Sequence, residues 1–293
     1  MSDQRWIKAF SALRLRGGLL LAAGVSLAVN LGNLGAYLFQ VALSHSLSKS
    51  DYGQFNVLFA IVLILLTPSP AIAIMIVNLH RSQNVSRAWT IDAVVIFFTL
   101  LSATLALSLL LGLELLGFFS AGLRLGSSLL FFLSALQMVA IGVRQAARRH
   151  RLVTLAQTSV GLLRAVLVGL LIGAGVNINV SHAVWICVLA AGVSVILLVP
   201  PRQPKICVSY LQNGFISLTR NYPEVYKTVT PLFFGYVRLM IAFAVLQNGD
   251  LLVVYLRWSG SAAGDYAGAS VLARIGFLIP SSLFTLGRRL IIA

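Results

Sequence analysis

The sequence predicts an all-α membrane protein of about eight transmembrane helices, six in an N-terminal lobe and the first two of a second lobe. Three observations carry this prediction. Hydrophobic residues make up 59% of the chain and charged residues 10%, with a mean hydropathy of +0.93; soluble domains carry roughly 25% charged residues. Eight apolar runs approach the length, about 20 residues, that crosses a bilayer core as helix. The basic residues gather in alternate connections, the pattern of the positive-inside rule.

The opening, MSDQRWIKAFSALRLRGG, has no small-residue cleavage pattern at a plausible distance from its apolar run, so it predicts no cleavable signal. Trp6, Ile7, Phe10 and Leu13 share a helical face opposite Arg5, Lys8 and Arg16. That pattern predicts a short interfacial helix on an anionic leaflet. Span 1 (18–43) carries Ser26, Asn30, Asn33, Tyr37 and Gln40 on one stripe. Such a stripe serves either to bond sugars and water along a path or to bond neighbouring helices. Span 2 (55–79) contains Thr67-Pro68-Ser69-Pro70, where two prolines remove two helix hydrogen bonds and predict a kink.

Spans 3 and 4 cover 93–118 and 126–146, with Glu114 near the end of the former. Span 5 (152–174) holds Arg164 at its midpoint, and Thr154, Gln157, Gly161 and Arg164 share a face. A polar stripe ending in arginine predicts a lumen wall. Span 6 (183–199) is the shortest. The stretch 200–231 opens with Pro200, Pro201 and Pro204 and closes with Pro223 and Pro231 around an amphipathic ICVSYLQNGFISL. It predicts a cytoplasmic linker between lobe 1–199 and a partial lobe 232–293. Span 7 (232–255) has Arg238 toward one end, where snorkelling and function account for it equally well. Asp250 lies toward the other end of that span, as an ion pair or an ion-coupling group. Span 8 (266–286) repeats a polar stripe in Tyr266, Ser270 and Arg274.

Sixteen of the 22 basic residues fall on one side of this arrangement, in the N-terminus, the loops 80–92, 144–151 and 200–231, and the C-terminus. Only Lys49, Arg124 and Arg257 fall on the other, and the remaining three are Arg164, Arg238 and Arg274 within spans. The split predicts that both termini are cytoplasmic. The net charge of +15 therefore reports topology and excludes a nucleic-acid partner. Cys187 lies in a span and Cys207 in a basic loop, so they make neither a disulfide framework nor a metal site. No His–Asp or paired-carboxylate constellation lies near an interface, so the chain reads as a non-enzyme without cofactor or metal.

A guanidinium within a bilayer costs at least about 2.5–3.5 kcal/mol. Three of them predict a wet interior that they face, and an anionic cargo follows from their charge and bidentate geometry.

Residues 51–68 and 265–282 match at a fixed offset. Asp51-Tyr52 pairs with Asp265-Tyr266, Val57-Leu58 with Val271-Leu272, and Ile61 with Ile275. Both copies point the same way across the membrane, as in a parallel repeat. Two complete copies of such a unit would need about 430 residues, so the repeat predicts roughly four further spans beyond the 293 residues here; the alternative is an accidental match in a protein of eight spans.

Leu47-Ser48-Lys49-Ser50-Asp51-Tyr52-Gly53 after a polar-studded first helix resembles the opening of bacterial polysaccharide flippases of the Wzx type, within the MOP superfamily. RNYPEVYKTVTPLFF (220–234) is similar to that family's approach to its seventh span. NGDLLVVYLRWSGSAAGDYAGASVLA (248–273) is similar to its Asp-x-Leu-Leu and Ala-Gly-x-Tyr signature. The resemblance covers most of the chain and departs from the family in length. It implies an inner-membrane transporter that flips an undecaprenyl-pyrophosphate oligosaccharide for O-antigen or capsule, through two lobes around a cationic cavity. The substrate-binding candidates are then Arg164, Arg274, Arg238, Asn30, Asn33, Tyr37 and Gln157, with Asp250 for ion coupling. The partners implied are the lipid-linked oligosaccharide, membrane lipids, and a polysaccharide polymerase or chain-length regulator. The alternatives are a shortened non-transporting membrane protein, or a lipid II or multidrug-type exporter of the same superfamily.

Overall fold

The computed structural model describes residues 3–81, 88–199 except 118, and 237–273 except 239, 243, 247, 259–260 and 272. Side-chain surroundings are described from Gly24 onward within those ranges, apart from 79–93 and 116. The expected linker 200–231 and the end of span 8, with Arg274, lie outside the described residues.

The protein is an all-α, multi-pass membrane protein, and no described residue is in a strand. Seven helices run from α1 (Asp3–Ser46) through α2 (Lys49–Leu66), α3 (Ser69–Arg81), α4 (Ala88–Leu116), α5 (Ala121–Ala146) and α6 (His150–Gly173) to α7 (Val180–Leu198). They supply six candidate spans among the described residues, because α2 and α3 cross together as Lys49–Asn78. A bent pair, α8 (Met240–Leu246) and α9 (Asn248–Arg257), makes a seventh if it crosses as one. Residues 261–271 form a further helical segment, α10, at the start of the expected eighth.

The first element differs from expectation. The amphipathic opening is continuous with span 1, so one helix of 44 residues runs from Asp3 to Ser46. Its length is about 66 Å at the α-helical rise. The pair Gly17-Gly18 leaves this helix intact: a glycine costs about 1 kcal/mol in a helix interior but keeps its backbone hydrogen bonds.

The Leu-Ser-x-x-Asp-Tyr-Gly turn has a local physical reason. Ser48 is the N-cap of α2, and its hydroxyl accepts from the Asp51 backbone N–H at 3.1 Å. The same hydroxyl donates to the Asp51 carboxylate at 2.8 Å. Leu47 and Tyr52 occupy the two positions of a hydrophobic staple and are both buried in the main core. The cap starts α2 at Lys49, six residues before the start predicted from hydropathy alone. At the far end of α2, Thr67 and Pro68 form a turn before α3 resumes at Ser69. Thr67 Oγ1 donates back to the Leu63 carbonyl at 2.7 Å, satisfying an acceptor near the break. Asn179 caps α7 reciprocally with His182, its side chain accepting from the His182 N–H at 2.9 Å.

Packing divides the bundle. Helix α5 touches α2, α3, α4, α6 and α7, while α1 packs chiefly on α6. The α1–α6 seam is built on small residues. A Cβ on Gly161 would overlap the Gly32 carbonyl, and one on Gly32 would press on the Thr158 backbone. Thr158 Oγ1 donates to the Ala28 carbonyl across this seam at 2.9 Å. Small residues that let helix backbones touch, with a hydroxyl bridging them, are the usual means of helix association in lipid. Arg144 Nε donates to the Leu198 carbonyl at 2.6 Å, closing the last turn of α7 onto α5.

Candidate functional site

A cavity of about 230 Å³ opens where α1, α2, α6, α9 and α10 converge. Its polar lining comprises Asn33, Tyr37 and Gln40 from α1, Asn56 from α2, Arg164 from α6, Asn248 from α9 and Ser270 from α10. Phe39, Phe59, Leu63, Leu251 and Val271 complete the wall with small side chains. The helical period explains the α1 contribution. Asn33, Tyr37 and Gln40 recur at i, i+4 and i+7, so they stand on one face. Gly32 and Gly35, on a neighbouring face, hold that helix against α6.

Arg164 is the single cation among the described lining residues, and none of them is a carboxylate. It sits fourteen residues from the start of α6 and nine from its end. The nearer end is roughly 13 Å away along the axis. Its guanidinium carbon lies 5.6 Å from the centre of the Phe59 ring. Its Nε is buried and has no hydrogen-bond partner among the described residues. A buried charged donor left without an acceptor is costly, and a group of this kind in a native interior marks strain, an unplaced ion or water, or a functional role.

The sequence-predicted residues divide. Arg164, Asn33 and Tyr37 line the cavity together. Asn30 is half-buried on α1 outside the lining, and Gln157 and Arg238 are exposed and likewise outside it. Gly161, placed on the same predicted stripe as Arg164, is buried in the α1–α6 seam. Asp250 is exposed, accepting from the Tyr266 phenol at 2.6 Å and from the Leu251 backbone N–H at 2.8 Å. Its partner is thus a tyrosine of the neighbouring helix. Arg274 lies outside the described residues.

Among the lining residues that sequence reasoning does not single out, three bear on the chemistry of the site. Asn56 and Asn248 are buried amides in apolar helices, and their polarity at such positions is the signal that could identify them. Phe59 carries no such signal, since an aromatic residue in a membrane helix is ordinary.

The two copies of the repeat meet close to this cavity. Lys49 Nζ, at the start of α2, pairs with Asp265 of α10 at 2.9 Å. A Cβ on Gly264 would overlap the Lys49 carbonyl, so the two helix starts are in backbone contact. Tyr52 and Tyr266, equivalent in the repeat, each donate to the helix before them, to Gln40 at 3.3 Å and to Asp250 at 2.6 Å. Leu251 and Ala267 belong to the same buried core as Tyr52 and Phe55.

An interhelical cavity with one cation and four amides set in a mostly apolar wall can bind an anionic group and hydroxyls at once. The comparisons with known proteins add no identification: no protein-family model, curated protein or solved structure matches the chain.

Proposed function

We propose that the protein is a transporter that flips a lipid-linked oligosaccharide, an undecaprenyl-pyrophosphate sugar, across the bacterial inner membrane for O-antigen or capsule synthesis. The observation that carries this reading is Arg164, at mid-helix in a largely apolar cavity whose described lining has no carboxylate to neutralise it. Arginine suits a pyrophosphate because its fork donates two hydrogen bonds with a fixed charge. Low local dielectric strengthens that attraction. Drug-sized ligands occupy pockets of about 300–1,000 Å³. At about 230 Å³ the cavity takes a phosphate headgroup or one sugar ring, and the rest of the cargo requires a wider state.

In this reading both termini are cytoplasmic, the protein moves its cargo unchanged, and a polysaccharide polymerase or chain-length regulator stands beside it in the membrane. Asn33, Tyr37, Gln40, Asn56 and Asn248 serve the sugar hydroxyls, and Asp250 with Tyr266 is the ion-coupling pair. Arg274 is a second anion contact and Arg238 an entry contact. A lipid II exporter shares the same headgroup chemistry. A multidrug-type exporter takes cations through intramembrane carboxylates, and the described cavity lining lacks them.

The test is complementation of a flippase-null strain. Arg164→Ala and Arg274→Ala each abolish surface polysaccharide while the protein still inserts, as judged by membrane fractionation. Full complementation by both variants overturns the cationic pathway. Failure of the unmodified chain to complement favours a non-transporting membrane protein.

A further inference from the structure

The cavity raises a question of electrostatics that the anion-site reading leaves open. A guanidinium at mid-membrane pairs with a carboxylate or a backbone carbonyl, and a carboxylate would cancel the charge an anionic cargo needs. None of the described residues lining the cavity is acidic. The contact that Arg164 does make is the face of Phe59, at 5.6 Å from carbon to ring centre. An aromatic face attracts a cation through its quadrupole and leaves the net charge unchanged.

The ring is itself held in place. Phe59 stacks on Phe55 with centroids 5.7 Å apart and planes 16° apart. Phe55 is fully buried and meets Phe39 edge-on at 6.0 Å. A ladder of three aromatic rings thus runs from α1 through α2 to the guanidinium on α6. Its first and last rings, Phe39 and Phe59, are also cavity wall. The Nε edge of the guanidinium is buried and has no acceptor among the described residues, so no hydrogen bond there competes with the ring for this cation.

We propose that Phe59 is a positioning residue for the anion site: its ring face holds the Arg164 guanidinium in the cavity wall as an uncancelled cation. The inference rests on the reading of this cavity as an anion site. A ring with a stronger quadrupole preserves the arrangement, and an aliphatic side chain of similar bulk does not. Packing alone makes the opposite demand, because leucine fits the space of phenylalanine more easily than the larger indole does.

The experiment measures binding of inorganic pyrophosphate by calorimetry to the full chain in lipid nanodiscs, for the unmodified protein, Phe59→Leu, Phe59→Trp and Arg164→Gln. Thermal unfolding of each variant is recorded alongside. The expected result is that Phe59→Leu weakens pyrophosphate binding between about twofold and thirtyfold, the range of cation–π energies. Phe59→Trp retains it or tightens it. The inference is overturned if Phe59→Leu binds as the unmodified protein does while Arg164→Gln has lost binding. It is overturned equally if Phe59→Trp binds no better than Phe59→Leu. A different outcome, no binding by the unmodified chain or unchanged binding by Arg164→Gln, removes the anion-site reading itself.

Discussion

Gly161 and Arg164 stand one turn apart on α6 and serve opposite purposes. The glycine brings α1 into backbone contact, and the arginine faces the cavity that this contact borders. A side chain at 161 meets the Gly32 carbonyl, which is backbone and cannot swing aside. Gly161→Val is therefore expected to destabilise the bundle by on the order of 3 kcal/mol, the upper range for overpacking. Gly24 on α1 has no atom within contact range of an added Cβ. Gly24→Ala is expected to be neutral or slightly stabilising, by up to about 1 kcal/mol. Thermal unfolding in detergent compares the two, and equal stabilities would show that the seam is not tight. Arg164 is legible in the sequence because charge in an apolar run is rare. The role of Gly161 is not, because a glycine beside a polar stripe reads equally as lumen or as seam until its neighbour is known.

Among elements, the α2–α3 break and the start of α2 separate what local chemistry determines from what it does not. The break is legible because Pro68 and Pro70 lack N–H groups wherever they fold. The cap at Ser48 shifts the helix start away from the hydropathy boundary, since a polar cap lies outside any apolar run. The continuity of α1 is not legible either, because an amphipathic opening has the same pattern whether it lies apart from the next helix or extends it. Replacing both prolines, Pro68→Ala with Pro70→Ala, is expected to restore the missing hydrogen bonds and straighten α2 into α3. Spin labels at Gln54 and Asn78 then move apart by a few ångströms in electron–electron resonance. An unchanged distance would mean that packing on α5, which both helices touch, sets the bend.

At the scale of the whole molecule, the repeat is readable as a pair of Asp-Tyr matches, but its consequence is spatial. The copies do not merely resemble one another: the starts of α2 and α10 touch, and each copy sends a tyrosine to the helix before it. No pattern along the chain predicts that meeting, because it depends on how residues more than two hundred positions apart are brought together. Lys49→Cys with Asp265→Cys is expected to cross-link with a short bismaleimide in native membranes, in a Cys207→Ser background. Absence of cross-linking would place the copies apart. The two parts of this contact should tolerate change very differently. The ion pair is exposed, with side chains 71% and 62% accessible, and water and salt screen such pairs to little value. The carbonyl against Gly264 has no such latitude. Random mutagenesis under selection for a folded chain should accept nearly any residue at 49 and 265, and at 264 return glycine almost alone.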